Sequence, residues 1–367
     1  MHTDPLRILI ILSGIGFATT AFAQSNITEL AEQTGIEAGE VASRDMPGWR
    51  APRKIVMRNI GLSREDIQAL MPGVEVVEVH SEAEAIASAE GADAIIGWCS
   101  ERVIAAASDA TWAQISSAGA ERCMSTERIM NGSVVLTNMQ KMSSPVIAEH
   151  AIALTLALAR QLPNLAKKMP RGEWRRSTDT TGNMQSIAGK TMLVVGLGGI
   201  GTEVARRAAA LDMRVIGNRR SSREGPDFVD YVGLSNELLK LAPEADFIVV
   251  TLPLTAETEG LLDKDFFNAA KRGAHLVNVG RGRTIVTDDL IAALESGQIA
   301  GAGLDVTDPE PLPADHPLWQ MDNVLITPHV AARGGNRVRH GILLKENLRR
   351  FAAGDALLNV VDPELGY

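Results

Sequence analysis

The chain has 367 residues, of which 45% are hydrophobic and 22% charged, which is ordinary globular composition and enough sequence for two domains. Its 36 basic and 45 acidic side chains give a formal net charge of −9, so the surface lacks the positive excess that nucleic-acid binding requires. The two cysteines, Cys99 and Cys123, are too few for a disulfide framework and lack the spacing of a zinc site. We expect no metal site, and a single bridge between the cysteines stays open.

The first 23 residues have the pattern of a secretory signal peptide. One positive side chain, Arg7, precedes an apolar run from Ile8 to Phe22, and small residues two apart end the segment at Ala23. The run is shorter than the roughly 20 apolar residues that a membrane-spanning helix needs. We therefore expect cleavage after Ala23, no stable membrane insertion afterwards, and a periplasmic or secreted protein. A cytoplasmic protein is the alternative.

Residues 24–52 mix Glu, Ala, Gly and Pro without sustained periodicity, so we interpret them as an N-terminal extension with at most a short helix. From Lys54 onward, short β-branched runs alternate with Ala- and Glu-rich segments, which is typical of an α/β unit with a parallel sheet. The strand candidates are Ile55–Met57, Val74–Val79, Ala94–Ile96, Gln114–Ser117 and Val134–Leu136.

A long apolar helix is predicted from Pro145 to about Lys168, and its lack of a polar stripe indicates burial. A second alternation of strands and helices begins at Thr191, and its six strands match a doubly wound nucleotide-binding sheet. An amphipathic helix from Asn336 to about Phe351 is long enough to return to the first domain. The strand candidates are Met192–Val195, Met213–Ile216, Phe247–Thr251, His275–Val279, Ala302–Val306 and Val324–Thr327.

These patterns predict an α/β protein with two Rossmann-like domains, each built on a doubly wound parallel sheet. We expect a flavodoxin-like substrate domain, made discontinuous by the returning C-terminal helix. The predicted divisions are a signal peptide at 1–23, an extension at 24–52, the substrate domain at 53–147 plus 333–367, and the dinucleotide-binding domain at 148–332.

The segment after the first strand of the second domain has the form of a dinucleotide-binding loop. Gly196 permits a tight turn, Gly198 lets the backbone approach a pyrophosphate, and Gly201 lets helix and strand pack closely. The helix that opens here presents unpaired N–H groups and a partial positive charge to phosphates. We expect the whole segment, including Gly199 and Ile200, to bind the dinucleotide.

The end of the next strand predicts which dinucleotide is preferred. An NAD-preferring site usually places Asp or Glu about 20 residues past the loop, whereas this chain has Arg219 there, followed by Arg220 and Ser221. Guanidinium and hydroxyl groups bind a 2′-phosphate through charge-assisted hydrogen bonds. We therefore expect NADP(H) to be preferred over NAD(H). A solvated arginine edge on an unselective enzyme is the alternative.

Three further polar residues follow strand candidates of the second domain at their carboxyl ends, where this class of fold binds its ligands. They are Arg281, Glu310 and His329. A carboxylate held against an imidazole favours the protonated ring, and a guanidinium binds a planar carboxylate with two hydrogen bonds. One cation, one acid and one imidazole in the same crevice form a candidate proton-transfer set.

In the segments around Arg281, Glu310 and His329 the chain resembles the D-isomer-specific 2-hydroxyacid dehydrogenase family. This family includes glyoxylate and hydroxypyruvate reductases, phosphoglycerate dehydrogenase and formate dehydrogenase. The resemblance runs from about Lys54 to the C-terminus and also covers Ala148–Ala151, Leu252–Thr255 and Pro317–Trp319. Glu310 argues against the formate dehydrogenase branch, which has a glutamine at that place.

The resemblance implies NAD(P)H-dependent reduction of a small 2-oxo acid, similar to glyoxylate or hydroxypyruvate, to the D-2-hydroxy acid. It implies that Arg281 binds and polarises the oxo acid, that His329 is the proton donor, and that Glu310 orients His329. Asp305 resembles the position that contacts the nicotinamide side of the cofactor. The remaining expected cofactor contacts are Leu252, Pro253, Val279 and Gly280, together with Arg281 and His329 themselves.

The resemblance also places substrate contacts in the first domain. Ser100 and Gly119 lie in loops at strand ends, and similar loops in the family offer N–H groups to the substrate carboxylate; a plain structural turn is the alternative at both. A homodimer with Gly172–Trp174 near its interface is a further expectation, and His150 is interpreted as a packing or hinge residue. A competing function is an exported dinucleotide-binding sensor or binding module with little turnover.

Overall fold

The computed structural model describes residues 27–174, 184–335 and 337–366, so the predicted signal peptide lies outside the described residues. The strands are β1 (Ala38–Ala42), β2 (Lys54–Met57), β3 (Glu75–Glu78), β4 (Ala94–Ile96), β5 (Trp112–Gln114), β6 (Val135–Thr137), β7 (Thr191–Val195), β8 (Arg214–Arg219), β9 (Tyr231–Leu234), β10 (Phe247–Val250), β11 (Ala274–Asn278), β12 (Ile299–Leu304), β13 (Val324–Ile326) and β14 (Ala356–Leu358). The helices are α1 (27–34), α2 (Arg64–Leu70), α3 (Glu82–Ser88), α4 (Glu101–Ala106), α5 (Glu127–Met130), α6 (Ser144–Ala159), α7 (Leu162–Ala166), α8 (Gly199–Ala209), α9 (Leu238–Leu241), α10 (Lys264–Ala269), α11 (Thr287–Glu295) and α12 (Arg337–Ala353).

The described chain divides into two compact units. The N-terminal unit contains residues up to 142 and those from 337 onward, and the central unit contains residues 143–335. The boundaries expected from sequence, at 147/148 and 332/333, differ from these by a few residues. The first boundary lies earlier because the whole of α6 belongs to the central unit, where Ile147, Ala148 and Ala151 pack into the core.

The sheet of the N-terminal unit is parallel and has the order β3-β2-β4-β5-β6. Counted within this sheet the order is 2-1-3-4-5, which is the flavodoxin-like order. The returning helix α12 completes the core of this unit. Its residues Leu344 and Leu348 are fully buried, and the ring of Phe351 lies 5.0 Å from that of Trp112.

Residues 24–52, expected to form an N-terminal extension with a short helix, pack onto the N-terminal unit in the part that the structure describes. Ile27 and Leu30 of α1 are buried in the same core as Ile55 and Leu343, and β1 pairs with β14 in an antiparallel ribbon. The segment was missed because β1 is mostly exposed and its partner strand lies some three hundred residues away along the chain. No local periodicity records such a pairing.

The central unit contains a parallel sheet with the order β13-β12-β11-β10-β7-β8-β9. Read from the other edge, this is the 3-2-1-4-5-6 order of a Rossmann sheet with one added strand, and the order reverses between β7 and β10. Along β7, Leu193 and Val195 face one core while Met192 and Val194 face the other, so both faces are covered by helices. Sequence analysis missed β9, an edge strand with an exposed Tyr231.

The long helix predicted from Pro145 to Lys168 is two helices. α6 ends at Ala159, Gln161 adopts a left-handed φ of +53°, and α7 begins with Pro163 in its first turn. Proline lacks the N–H that a continuing helix requires and clashes with the preceding turn, which ends α6 before Pro163. In the described part of the chain, no helix is both long and apolar enough to span a membrane.

Candidate active site

The segment after β7 contains four glycines, and three of them, Gly196, Gly198 and Gly201, differ in the space available to a side chain. Gly196 has a left-handed φ of +99°, and a Cβ there would also lie 2.8 Å from Cδ2 of Leu252. A Cβ at Gly201 would lie 2.1 Å from the carbonyl oxygen of Gly196, so only glycine lets α8 start this close to the strand. At Gly198, the N-cap residue of α8, a Cβ would meet nothing within 4 Å. This open space at a helix N-terminus fits a dinucleotide pyrophosphate.

The ends of the two strands beside β7 hold this loop in place. The side chain of Asn218, buried at the end of β8, accepts a hydrogen bond from the N–H of Gly196 at 2.9 Å. The hydroxyl of Thr251, just after β10, donates to the carbonyl oxygen of Gly196 at 2.6 Å. Hydrogen bonds within the protein therefore hold the glycine loop in place, and Gly199 and Ile200 are partly exposed in the first turn of α8.

β8 ends at Arg219, beside the glycine loop that Asn218 holds. The Nε atom of Arg219 is buried and has no hydrogen-bond partner among the described residues. A buried donor without a partner destabilises the protein, and a phosphate oxygen would satisfy it. Arg220 and Ser221 continue the chain as exposed residues. This arrangement fits the 2′-phosphate of NADP(H).

Arg281 lies between two glycines because the backbone is crowded on both sides of it. A Cβ at Gly280 would lie 2.7 Å from the carbonyl oxygen of Leu252, and one at Gly282 would lie 1.9 Å from the carbonyl oxygen of Thr307. Neither neighbour is a flexible side chain that could move aside. The spacing Gly-Arg-Gly is thus a packing requirement of the loops after β10, β11 and β12.

Asn278, the last residue of β11, fixes the turn that carries Arg281. It is fully buried, its Oδ1 accepts from the N–H of Gly280 at 3.0 Å, and its Nδ2 donates to the carbonyl oxygen of Arg281 at 3.0 Å. The Nη1 atom of Arg281 donates to the carbonyl oxygen of Gly280 at 2.8 Å. Val279 is buried in the core between these residues.

His329 and Glu310 form a direct pair. Nδ1 of His329 lies 2.6 Å from Oε1 of Glu310, and both side chains remain accessible, with 47% and 42% of their surfaces exposed. His329 has a left-handed φ of +52°, and its N–H donates to the carbonyl oxygen of Asp305 at 2.8 Å. Because Nδ1 faces the carboxylate, Nε2 is the nitrogen available to a substrate.

The carboxylate of Asp305 is 2% exposed and organises the segment that carries the imidazole. Its Oδ1 accepts from the hydroxyl of Thr327 at 2.7 Å and from the N–H of Val330 at 2.9 Å, and its Oδ2 accepts from the N–H of Ala331 at 3.0 Å. Nε2 of His150 lies 2.9 Å from the same hydroxyl, and since that hydroxyl donates to Asp305, His150 is the donor. Asp305 and His150 are positioning residues in this geometry; the nicotinamide contact expected of Asp305 stays a prediction.

The strand-end loops of the central sheet contact one another in the order of the strands. The backbone around Leu252 lies against Gly280, Gly282 lies against Thr307, and Asp305 binds Thr327. The carbonyl oxygen of Pro253 accepts from the hydroxyl of Thr258 at 2.7 Å. The expected cofactor residues therefore lie along a single edge of this sheet. No group of three potential metal-ligating side chains occurs in the residues that the structure describes.

The two expected substrate loops lie at the carboxyl edge of the N-terminal sheet. Ser100 is the N-cap residue of α4, and its hydroxyl donates to Glu82 at 2.5 Å. The carbonyl oxygen of Gly119 accepts from the hydroxyl of Ser117 at 2.8 Å. Their backbone N–H groups remain candidates for substrate binding, whereas the Ser100 hydroxyl is already engaged.

Cys99 and Cys123 form a disulfide, with their Cα atoms 5.3 Å apart and a separation of 24 positions in sequence. The bridge ties the loop that contains Ser100 to the short helical turn that follows Gly119. Sequence analysis had left this pairing open, because spacing alone does not reveal which strand ends are neighbours.

Two residues at strand ends, one in each unit, were missed by sequence analysis. Thr327 was treated only as part of a motif, although its hydroxyl connects His150 to Asp305. Arg58 was not considered, although it directly follows β2 and its guanidinium lies 5.0 Å from the ring centroid of Trp98. A charged side chain immediately after a predicted parallel strand was the available signal.

Comparison with known proteins relates the central unit to a family. Residues 152–331 match the profile described as D-isomer specific 2-hydroxyacid dehydrogenase, NAD binding domain. The chain is 35% identical over 237 residues to a glyoxylate reductase of Korarchaeum cryptofilum, covering 63% of this chain and 70% of that protein.

Two solved structures are similar over most of the chain. A D-isomer specific 2-hydroxyacid dehydrogenase from Xanthobacter autotrophicus, in complex with NADPH and MES, has a TM-score of 0.73 at 30% identity, covering 86% of this chain and all of that one (100%). An NADPH-dependent glyoxylate/hydroxypyruvate reductase from Sinorhizobium meliloti, with NADP and sulfate, has a TM-score of 0.72 at 27% identity and the same coverage (86% and 100%).

Proposed function

Because the chain belongs to the D-isomer specific 2-hydroxyacid dehydrogenase family, we propose that it reduces a small 2-oxo acid, similar to glyoxylate or hydroxypyruvate, to the D-2-hydroxy acid. The family consists of oxidoreductases that act on CH–OH groups with a nicotinamide cofactor. The observation that carries the proposal is the 2.6 Å pair of His329 and Glu310 on the sheet that also bears the dinucleotide loop.

NADP(H) is the proposed preferred cofactor. Three observations support it: the open space at Gly198, the buried Nε of Arg219, which has no hydrogen-bond partner among the described residues, and Ser221 two positions further on. The similar proteins from Xanthobacter and Sinorhizobium contain NADPH and NADP. A carboxylate in place of Arg219 would repel a 2′-phosphate, and none follows β8 directly.

A nicotinamide dinucleotide held by the glycine loop at Gly198 and by Arg219 would supply the hydride that C2 of the oxo acid receives in the proposed reaction. Arg281 binds the acid and stabilises the negative charge that develops on the carbonyl oxygen. His329 delivers a proton from Nε2 to that oxygen, which completes the hydroxyl group. Glu310 holds Nδ1, so the ring keeps one orientation throughout. In the N-terminal unit, the N–H groups around Ser100 and Gly119 are proposed to bind the substrate carboxylate.

A homodimer is proposed as the assembly. Around the expected interface segment, Trp174 is 93% exposed and Met169 is 78% exposed. Two large apolar side chains exposed within six residues of sequence support an association surface at this segment. Sedimentation should give twice the chain mass, and Trp174→Glu should shift the protein toward monomer.

An oxidising compartment is proposed as the location. The Cys99–Cys123 bond supports it, because disulfides persist outside the reducing cytoplasm, and the leader-like sequence at 1–23 agrees. Labelling of free thiols in protein taken from the native host tests this: unreactive cysteines are expected, and two reactive thiols would place the protein in the cytoplasm.

Steady-state oxidation of NADPH and NADH by the purified protein tests the function, with glyoxylate, hydroxypyruvate, pyruvate and phenylpyruvate as acceptors. We expect turnover with at least one acid and a higher kcat/KM for NADPH. Dinucleotide binding without turnover of any acid would contradict the proposal and favour the sensor or binding module.

A further inference from the structure

A cation and an aromatic ring meet at the point of the N-terminal sheet where α/β folds bind ligands. β2 is the first strand of this sheet and pairs with β3 on one side and β4 on the other, so the strand order reverses there. Arg58 directly follows β2, and Gly97-Trp98 directly follow β4. Ligands of open parallel sheets bind at the carboxyl ends of strands at such a reversal.

The side chain of Arg58 is held against this loop by close packing. Gly97 has a left-handed φ of +92°, and a Cβ there would lie 2.7 Å from Cγ of Arg58. The Arg58 guanidinium carbon then lies 5.0 Å from the ring centroid of Trp98, within the range of a cation–π interaction. The arginine chain lies across the glycine and its charged end stacks on the indole.

The charge of Arg58 has no counter-charge in ion-pair distance within the part of the chain that the structure describes. Among the described residues no carboxylate forms an ion pair with it, whereas Arg50 in the same unit binds Asp93 at 2.6 Å and Asp109 at 2.7 Å. The buried indole N–H of Trp98 also has no hydrogen-bond partner within the described ranges. Unsatisfied donors beside an unpaired cation are suited to an oxyanion.

The loop that carries Trp98 is rigidly anchored. Cys99 is bonded to Cys123, and the hydroxyl of Thr126 donates to the carbonyl oxygen of Cys99 at 2.8 Å. On the other side, Ser100 donates to Glu82 at 2.5 Å. A preformed site loses little conformational entropy when its ligand binds.

We propose that Arg58, stacked on Trp98, binds a second anionic group of the substrate, so that the enzyme prefers 2-oxo acids with an additional carboxylate or phosphate. The inference rests on the proposed function, whose substrate class it narrows. The planar guanidinium can donate two parallel hydrogen bonds to either a carboxylate or a phosphate.

The test compares kcat/KM for glyoxylate, oxaloacetate and phosphohydroxypyruvate in the native protein and in Arg58→Gln. We expect the native protein to prefer a dianionic acid. Loss of the charged contact should lower kcat/KM for that acid by about 10- to 100-fold more than for glyoxylate, mainly through KM. The acid with the larger selective loss identifies carboxylate or phosphate as the group that is bound.

Two further variants separate binding from folding. Arg64→Gln removes an exposed arginine at the start of α2 and should change none of the ratios. Arg58→Lys keeps the charge without the planar fork and should restore part of the preference. Equal losses for all three acids, or none for any, would overturn the inference while leaving the proposed function intact.

If no acid is turned over, calorimetric titration with malonate and with methylphosphonate still tests the site. Binding that is lost in Arg58→Gln supports it, and binding that is absent or unchanged in the variant refutes it.

Discussion

The side chains proposed to carry the chemistry are held by neighbours rather than by their own burial. His329 and Glu310 are each more than two-fifths exposed, yet the imidazole is fixed by the carboxylate on Nδ1 and by its backbone bond to Asp305. Behind the imidazole, the hydroxyl of Thr327 donates a hydrogen bond to the carboxylate of Asp305. An exposed acid–base group can thus be precisely oriented while remaining open to a substrate.

His329→Ala should lower kcat for reduction by about 10²- to 10⁴-fold, because it removes the proton donor without touching the dinucleotide loop. Affinity for NADPH, measured by fluorescence titration, should stay nearly unchanged. His80→Ala, at an exposed histidine of the N-terminal unit, is the matched control. Near-normal turnover in His329→Ala would remove this residue from the mechanism.

Arg219→Asp should weaken NADPH binding far more than NADH binding, since the new carboxylate repels a 2′-phosphate. Dissociation constants for both dinucleotides measure this. Arg206→Gln removes a surface guanidinium from α8 and should affect neither. The assignment of the phosphate site fails if Arg219→Asp weakens both dinucleotides equally.

The elements of the central unit determine where these residues lie. Each strand of the sheet ends at the same edge, and the loops that follow are packed tightly enough to require glycine at 196, 201, 280 and 282. The loop after β7 also contains Gly198, a glycine that packing does not require. Mutation to alanine should therefore distinguish the glycines that packing requires from the one that ligand binding requires.

Gly198→Ala should leave the free energy of unfolding almost unchanged, because its φ is ordinary and its Cβ would enter open space. The same substitution should reduce dinucleotide affinity by at least tenfold, since the new methyl group occupies the place of the pyrophosphate. Gly201→Ala should instead destabilise the protein, as its Cβ would overlap the carbonyl of Gly196. Calorimetry with and without NADPH distinguishes the two; equal stability losses would contradict this division.

His275 in β11 gives the central unit a specific sensitivity to acid. It is 4% exposed and stacks on Phe247, and burial lowers its pKa from 6.5 to about 4. Below pH 6.5 the unfolded chain binds a proton there that the folded chain does not bind until about pH 4. Stability is therefore complete above pH 6.5 and falls between these values, by on the order of 3 kcal/mol.

Denaturant unfolding of His275→Gln between pH 4 and 7 measures this contribution. The variant is less stable at neutral pH because it loses the stacking contact, but its stability should decline less steeply with acid than that of the native protein. His80→Gln should keep the native slope. An unchanged slope in His275→Gln would show that other groups cause the acid sensitivity.

Across the chain as a whole, distant segments complete each unit. α12 begins 200 positions after the end of β6 and, with β14, closes the N-terminal core, and the disulfide joins two loops at the edge of that sheet. The first strand of the unit is likewise paired with its last. The stability of the N-terminal unit thus depends on both chain ends and on the redox state.

Reduction of the disulfide, or the double substitution Cys99→Ser with Cys123→Ser, should lower the free energy of unfolding of the N-terminal unit by about 3 kcal/mol, as expected for a closed loop of this length. Dinucleotide binding by the central unit should be unaffected. Unfolding curves recorded with and without a thiol reductant check this. If the native protein shows no difference between them, the bridge does not constrain the chain.

Hydrophobic periodicity in the sequence predicted the parallel strands with the exception of the edge strand β9, because a buried strand has a local pattern of β-branched residues and an exposed edge strand does not. The glycine spacing and the identities of Arg281, Glu310 and His329 were likewise readable, since strand ends in this class of fold share one edge. Local patterns extend over about ten residues, however, and record nothing about more distant partners. Only the tertiary structure decided that Cys99 pairs with Cys123, that the segment before Lys54 belongs to a core, that Asp305 is buried beneath the imidazole loop, and that Arg58 lies on Trp98.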